Sequence, residues 1–237
     1  MTFELLIANV IVSFGGFVQT TTGIGFAMIA VPMLVLIDLT YAPGPALFAM
    51  LFLSVAMVMG SWQDVDRQGF SALFPGLLVG TVVGAQLLGL LSATAFGLVF
   101  GFIVLTSLAF GQIGFTPERT PVTNATGGFV SGLMGTISGI HGPPLAVLYQ
   151  RAEMATARAT IAFVFVFASI FSLILLHLNG HFGREEALAG LALLPGIAVG
   201  FGVAVSGRRF MSDAAARNAM LIIAAVSAVT LIVRSLS

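Results

Sequence analysis

The sequence predicts an all-α polytopic membrane protein made of two inverted-topology repeats, each a broken, re-entrant helical hairpin followed by three transmembrane helices. Three observations lead there. Charged residues are 8% of the 237 and hydrophobic residues 58%, whereas a soluble domain carries roughly 25% charged residues. The apolar sequence falls into spans of about 20 residues joined by short polar connections, room for about eight crossings and no separate soluble domain. Both halves also carry the same landmarks in the same order, with one apolar tract in each interrupted by small and polar residues.

The first repeat, 1–113, opens with an apolar tract at 3–37, broken near its middle by Gln19, Thr20, Thr21, Thr22, Gly23 and Gly25. Its first residues lack the basic stretch of a cleaved signal peptide, so the tract is read as retained. Spans near 44–62, 70–91 and 93–112 follow, separated by the polar run 64–69 and a turn at Ser92. A linker at 114–121, containing Pro117, Glu118, Arg119 and Pro121, divides the chain. The second repeat, 122–237, has the same order: a broken tract at 122–150, then spans near 155–178, 187–206 and 213–234. Gly15-Gly16-Phe17-Val18 matches Gly127-Gly128-Phe129-Val130 at an offset of 112, which also places Gly23 on Gly135 and Pro32 on Pro144. Phe74-Pro75-Gly76 and Gly80 match Leu194-Pro195-Gly196 and Gly200 at an offset of 120. Ordered self-similarity of this kind marks a duplication.

Orientation follows from the broken tracts. Residues 122–150 are too few for two full crossings of about 20 each, and the piece after Pro143 spans only about 12 Å. The tract is therefore one broken crossing or a hairpin that enters and leaves on one side. If both tracts are hairpins, Arg67, Arg119, Arg151, Arg158, Arg208, Arg209 and Arg217 share one side, against Arg184 and Arg234. Single crossings give no bias, so the positive-inside rule selects hairpins. A hairpin plus three crossings inverts the second half relative to the first, a recurring plan of secondary transporters.

The chemistry concentrates in the breaks, because irregular backbone at membrane depth survives only where protein buries it or a cavity needs it. In Thr136-Ile137-Ser138-Gly139-Ile140-His141-Gly142-Pro143-Pro144, Pro143 suits the first turn of a helix. The N–H groups opening that helix form an anion site. Thr136 and Ser138 add hydroxyl donors, and His141 adds an imidazole N–H or a proton. Gln19, Thr20, Thr21 and Thr22 end one half-helix upstream, and Gly23 and Gly25 open the next. Gln86, Asn124 and Gln112 are the polar groups of the facing spans, and Arg158 stands at a cytoplasmic mouth. The competing reading of these residues is packing: small residues let membrane helices approach, and threonine hydroxyls bond back to their own helix.

These residues resemble the TauE/SafE (TSUP) family of sulfite exporters over essentially the whole chain. The motif that carries the resemblance is a Gly-rich turn, an apolar stretch and Pro, once per half: Gly23-Ile24-Gly25 to Pro32, and Gly135 through Gly139-Ile140-His141-Gly142-Pro143-Pro144. The first turn lacks the usual run of consecutive glycines, and His141 stands where glycine is more usual. The resemblance implies a multi-pass permease of a bacterial inner membrane, moving sulfite, an organosulfonate or a related small anion. A monomer or homodimer in the lipid bilayer is expected, with no nucleic acid partner.

Other classes fit less well. The chain has no cysteine, which removes thiolate metal sites and Cys nucleophiles. His177 and His181 sit at a span end and are too peripheral for a metal permease; no metal and no cofactor is expected. An intramembrane enzyme would need a nucleophile and an oriented base. Ser138 and His141 stand three apart with nothing to orient the imidazole, so no enzyme is expected. No Asp, Glu or Arg lies near the middle of a span, so His141 is the candidate proton carrier at depth. Anion export down a potential of about −100 mV gains about 2.3 kcal/mol per charge and needs no ion coupling.

Overall fold

The computed structural model describes residues 3–110, 116–207 and 213–236, which form helices and no strand. In chain order the helices are α1 (Phe3–Thr22), α2 (Phe26–Ile37), α3 (Gly44–Met59), α4 (Arg67–Leu88) and α5 (Ala93–Phe110), followed by α6 (Pro121–Ser138), α7 (Gly142–Tyr149), α8 (Met154–Leu178), α9 (Arg184–Val205) and α10 (Asp213–Leu236). Among the described residues α1, α4, α8 and α9 are long and apolar enough to cross a membrane. The predicted breaks fall where expected. Gln112, Arg208 and Arg209 lie outside the described residues.

Local chemistry sets the boundaries. Asp66 caps α4 by accepting from the Gly69 N–H at 2.8 Å, the N-cap geometry that satisfies an orphan donor. Thr120 and Thr123 form a reciprocal box at the start of α6, and Pro121 occupies the first turn, where its missing N–H costs nothing. The α1–α2 and α6–α7 breaks are turns rather than kinks. At one end of the molecule, burial and the carboxylates of Asp38 and Glu4 hold the Tyr41 phenol above its ordinary range, so the chain leaves α2 beside the start of α1. At the other end Arg151 bonds Thr116, and the Arg119 guanidinium lies 4.9 Å from the Tyr149 ring centre. The second tract also leaves where it entered.

The first of these ends carries Phe182, stacked on Phe48 at 6.1 Å, and Arg234, whose Nη1 donates to the Leu36 carbonyl at 3.2 Å. The second carries the Asp66–Arg119 ion pair at 2.7 Å, and Arg67 over Trp62.

Helix pairing follows one pattern in both halves. α1 packs on α9 as α6 packs on α4; α2 lies on α10 as α7 lies on α5; α3 meets α9 as α8 meets α4; α3 pairs with α8, and α5 with α10. The first of these pairings rests on close backbone approach. A Cβ at Gly80 would lie 2.0 Å from the Phe129 carbonyl oxygen, and one at Gly200 2.1 Å from that of Ser13. At Pro195 the α9 ladder is open, and Asn9 fills it. Its Nδ2 donates to the Ala192 carbonyl at 2.9 Å and its Oδ1 accepts from the Gly196 N–H at 2.8 Å.

Candidate functional site

The two turns have the same construction. Gly23 and Gly139 hold φ of 86° and 79°, a left-handed conformation that glycine adopts without strain. Their N–H groups donate to Gln19 and Gly135 carbonyls at 2.8 and 2.7 Å. Thr20 and Thr136 donate to Gly16 and Gly132 carbonyls at 2.7 and 2.8 Å. Thr22 and Ser138 donate to Val18 and Met134 carbonyls at 2.8 and 2.7 Å. Equivalence therefore runs at an offset of 116, pairing Gly23 with Gly139. The offset of 112, which paired Gly23 with Gly135, is corrected for this region.

Two expectations about donors are corrected too. The hydroxyls of Thr20, Thr21, Thr22, Thr136 and Ser138 all reach carbonyls of the preceding helical turn, and beyond it Thr22 also meets the Ile24 carbonyl and Thr136 the Ser172 hydroxyl. At the start of α7, Pro143 and Pro144 have no N–H, so Gly142 supplies the first-turn donor. α2 is better furnished: Gln19 Oε1 accepts from the Phe26 N–H at 3.1 Å, and the Ala27 and Met28 N–H groups have no intrahelical acceptor.

The turns differ in how they fill one space. Gln19 is buried, and its Nε2 donates to the Gly23 carbonyl at 2.9 Å; the residue equivalent to His141 in this half is Gly25. In the second half the position equivalent to Gln19 is Gly135, and the His141 ring occupies that volume, 1.8 Å from where a Gly135 Cβ would stand. His141 Nδ1 lies 2.9 Å from the Ser131 carbonyl oxygen, while Ser131 Oγ donates to the His141 carbonyl at 2.8 Å. Gly142 and Ile24 are neighbours, so the turns meet.

Exposure separates them. Thr136, Ser138, Gly139, His141 and Gly142 are buried, whereas Thr20, Thr21, Thr22 and Ile24 are half-buried. Arg158, one turn into α8, lies on the first turn: its Nη1 donates to the Thr21 carbonyl at 3.2 Å, and its Cγ is 2.7 Å from where a Gly23 Cβ would stand. The predicted mouth residue is thus part of the turn itself. A cavity of about 260 Å³ at the same end is lined by Glu118, Arg119, Gln150 and Arg151, among others.

Gln86 and Asn124 do not join this cluster. Gln86 is exposed in the last turn of α4 and Asn124 is buried in the first turn of α6, because each span sits in a register that places its amide at a helix end. Sequence reasoning missed Ser169 and Ser172 on α8, both fully buried. Ser172 Oγ bonds Thr136 Oγ1 at 2.8 Å, and the Phe165 ring lies 6.1 Å from the His141 ring. Their spacing of four and three residues was the available signal.

The model of the family described as sulfite exporter TauE/SafE matches residues 8–231. A curated protein of Cupriavidus necator, named probable sulfite/organosulfonate exporter TauE, is 30% identical over 168 residues, 65% of this chain. The match spans 63% of that relative's length. No solved structure matches.

Proposed function

This chain belongs to the sulfite exporter TauE/SafE family, and on that premise we propose that it is a secondary transporter of a small sulfur oxyanion or organosulfonate. In this reading the anion sits between the two turns, and the halves are inverted repeats that rock to give alternating access. The matched helix pairings and the two hairpins, returning at opposite ends, support the inversion. The observation that carries the site is Arg158 lying against a half-open turn. A guanidinium matches an oxyanion with paired N–H groups, and the α2 N-terminus adds free N–H donors and the positive end of its dipole. The second turn, buried throughout, forms the closed wall.

Arg67, Arg119, Arg151 and Arg158 gather at one end and Arg184 and Arg234 at the other. Under the positive-inside rule the half-open turn then faces the cytoplasm of an inner membrane, the access that an exporter needs before it loads. The test is efflux of sulfite and a sulfonate panel from proteoliposomes. Transport of a carboxylate or a cation while the whole sulfur panel stays put would sink the reading.

A further inference from the structure

His141 and Ser169 leave two fully buried polar atoms, Nε2 and Oγ, without a hydrogen-bond partner. Unpaired polar atoms in a dry interior are costly. Phe165 and Ser172 anchor the α8 face opposite the second hairpin, through His141 and Thr136 respectively; Ser169 lies between them at helical spacing, on that face.

The tautomer is fixed. A carbonyl oxygen only accepts, so the Nδ1 beside Ser131 carries the proton, and Nε2 of the neutral ring is a lone-pair acceptor. We propose that His141 Nε2 and Ser169 Oγ form the recognition pair of the second turn and that they select an oxyanion still carrying one proton. The ligand's O–H donates to Nε2, and Ser169 donates to one of its bare oxygens. Hydrogensulfite fits this pair; an organosulfonate, a strong acid's anion with no O–H, does not. The inference rests on the anion-transport reading above and narrows its substrate class. Around the ring, α6 presents Ser131 and Gly135 and α8 presents Phe165. The nearest titratable or charged groups on these elements are Arg158, two turns before Phe165, and Tyr149 at the far end of α7.

The experiment measures binding of sodium sulfite and sodium methanesulfonate to the purified full chain by calorimetry across about pH 6 to 9. A second chain carries Gly135→Gln with His141→Gly, which copies the Gln19/Gly25 filling of the first turn and removes the imidazole while keeping the volume. Sulfite binding to the native chain is expected to weaken about tenfold per pH unit at the alkaline end, as a one-proton linkage requires. Methanesulfonate is expected to bind at least tenfold more weakly, with a flat profile. The exchanged chain is expected to flatten the sulfite profile. Equal affinity for both ligands in the native chain overturns the selection whether or not the exchanged chain folds, and so does an exchanged chain with the native profile. If neither ligand binds at any pH, the anion-transport reading itself falls.

Discussion

Gly80→Ala is expected to unseat α4 from α6, and the helix spacing sets the scale. The new Cβ would stand 2.0 Å from the Phe129 carbonyl oxygen and 2.8 Å from its carbon. Contacts below 3.0 Å are not tolerated, and the obstacle is backbone, which cannot rotate aside. The helices must part by roughly 1 Å, enough to forfeit a quarter to a half of the dispersion well along the seam. Gly76 and Gly84 on α4, and Gly128 and Gly132 on α6, make the same kind of approach to the opposite backbone, so the loss propagates along the pair. A cost of about 1–3 kcal/mol, the usual range for overpacking, is expected. At about 2–4 °C per kcal/mol for a chain of this size, Tm falls by several degrees. Gly202→Ala is the control: it lies inside α9 with nothing within 4 Å of a new Cβ, and should gain about 0.4–1 kcal/mol from lost unfolded-state entropy. Thermal unfolding in detergent, followed by size-exclusion fluorescence, reads both. Equal shifts in the two variants, or a Gly80→Ala chain at the native Tm, would refute the backbone-seam argument.

Arg158→Gln should weaken sulfite binding at least tenfold, well within the roughly 4 kcal/mol available to a charge pair near 4 Å in a partly solvated site. Arg158→Lys should fall between, keeping the charge but losing the fork; titration calorimetry checks both. Gly139→Ala meets only ordinary contacts and should cost the strain of a left-handed residue, about 1 kcal/mol. Gly23→Ala adds a clash with Arg158, so proteoliposome efflux should drop more for Gly23→Ala at matched Tm. Asn9→Leu strips the Ala192 carbonyl and the Gly196 N–H of their partner beside Pro195. A loss of about 1–3 kcal/mol is expected in the same unfolding assay.

Hydropathy made the helix order and the two broken tracts legible in the sequence, because membrane burial is averaged over whole spans. The residues of the two turns were legible as breaks in a helix and less so in what their side chains bond. Threonine next to a helix end reads equally as ligand or as back-bonded hydroxyl; here Thr20, Thr21 and Thr22 each bond back. Gln86 reads as mid-span because apolar residues continue past it, yet α4 stops at Leu88. Arg158 was placed at an entrance because sequence cannot say that α1 reaches far enough to bring Thr21 beside the first turn of α8.

The register of the repeat hid for a more instructive reason. Gly15-Gly16-Phe17-Val18 and its copy give the strongest string match, but packing equivalence follows what each glycine approaches. Gly200 meets Ser13 where Gly80 meets Phe129, which fixes the offset at 116 and aligns Thr20-Thr21-Thr22-Gly23-Ile24-Gly25 with Thr136-Ile137-Ser138-Gly139-Ile140-His141. Within that alignment the bulky polar residue has moved. It precedes the turn in the first half, as Gln19, and follows it in the second, as His141, with Gly25 and Gly135 as the complementary vacancies. One volume is filled from opposite sides of the turn, so residue-by-residue comparison sees two mismatches where the fold keeps one packing solution. Gln19 spends both ends of its amide on the turn, on Gly23 and Phe26. His141 spends one nitrogen on Ser131 and keeps the other. The exchange that preserves the packing therefore leaves the second turn with a hydrogen-bonding atom that the first does not have.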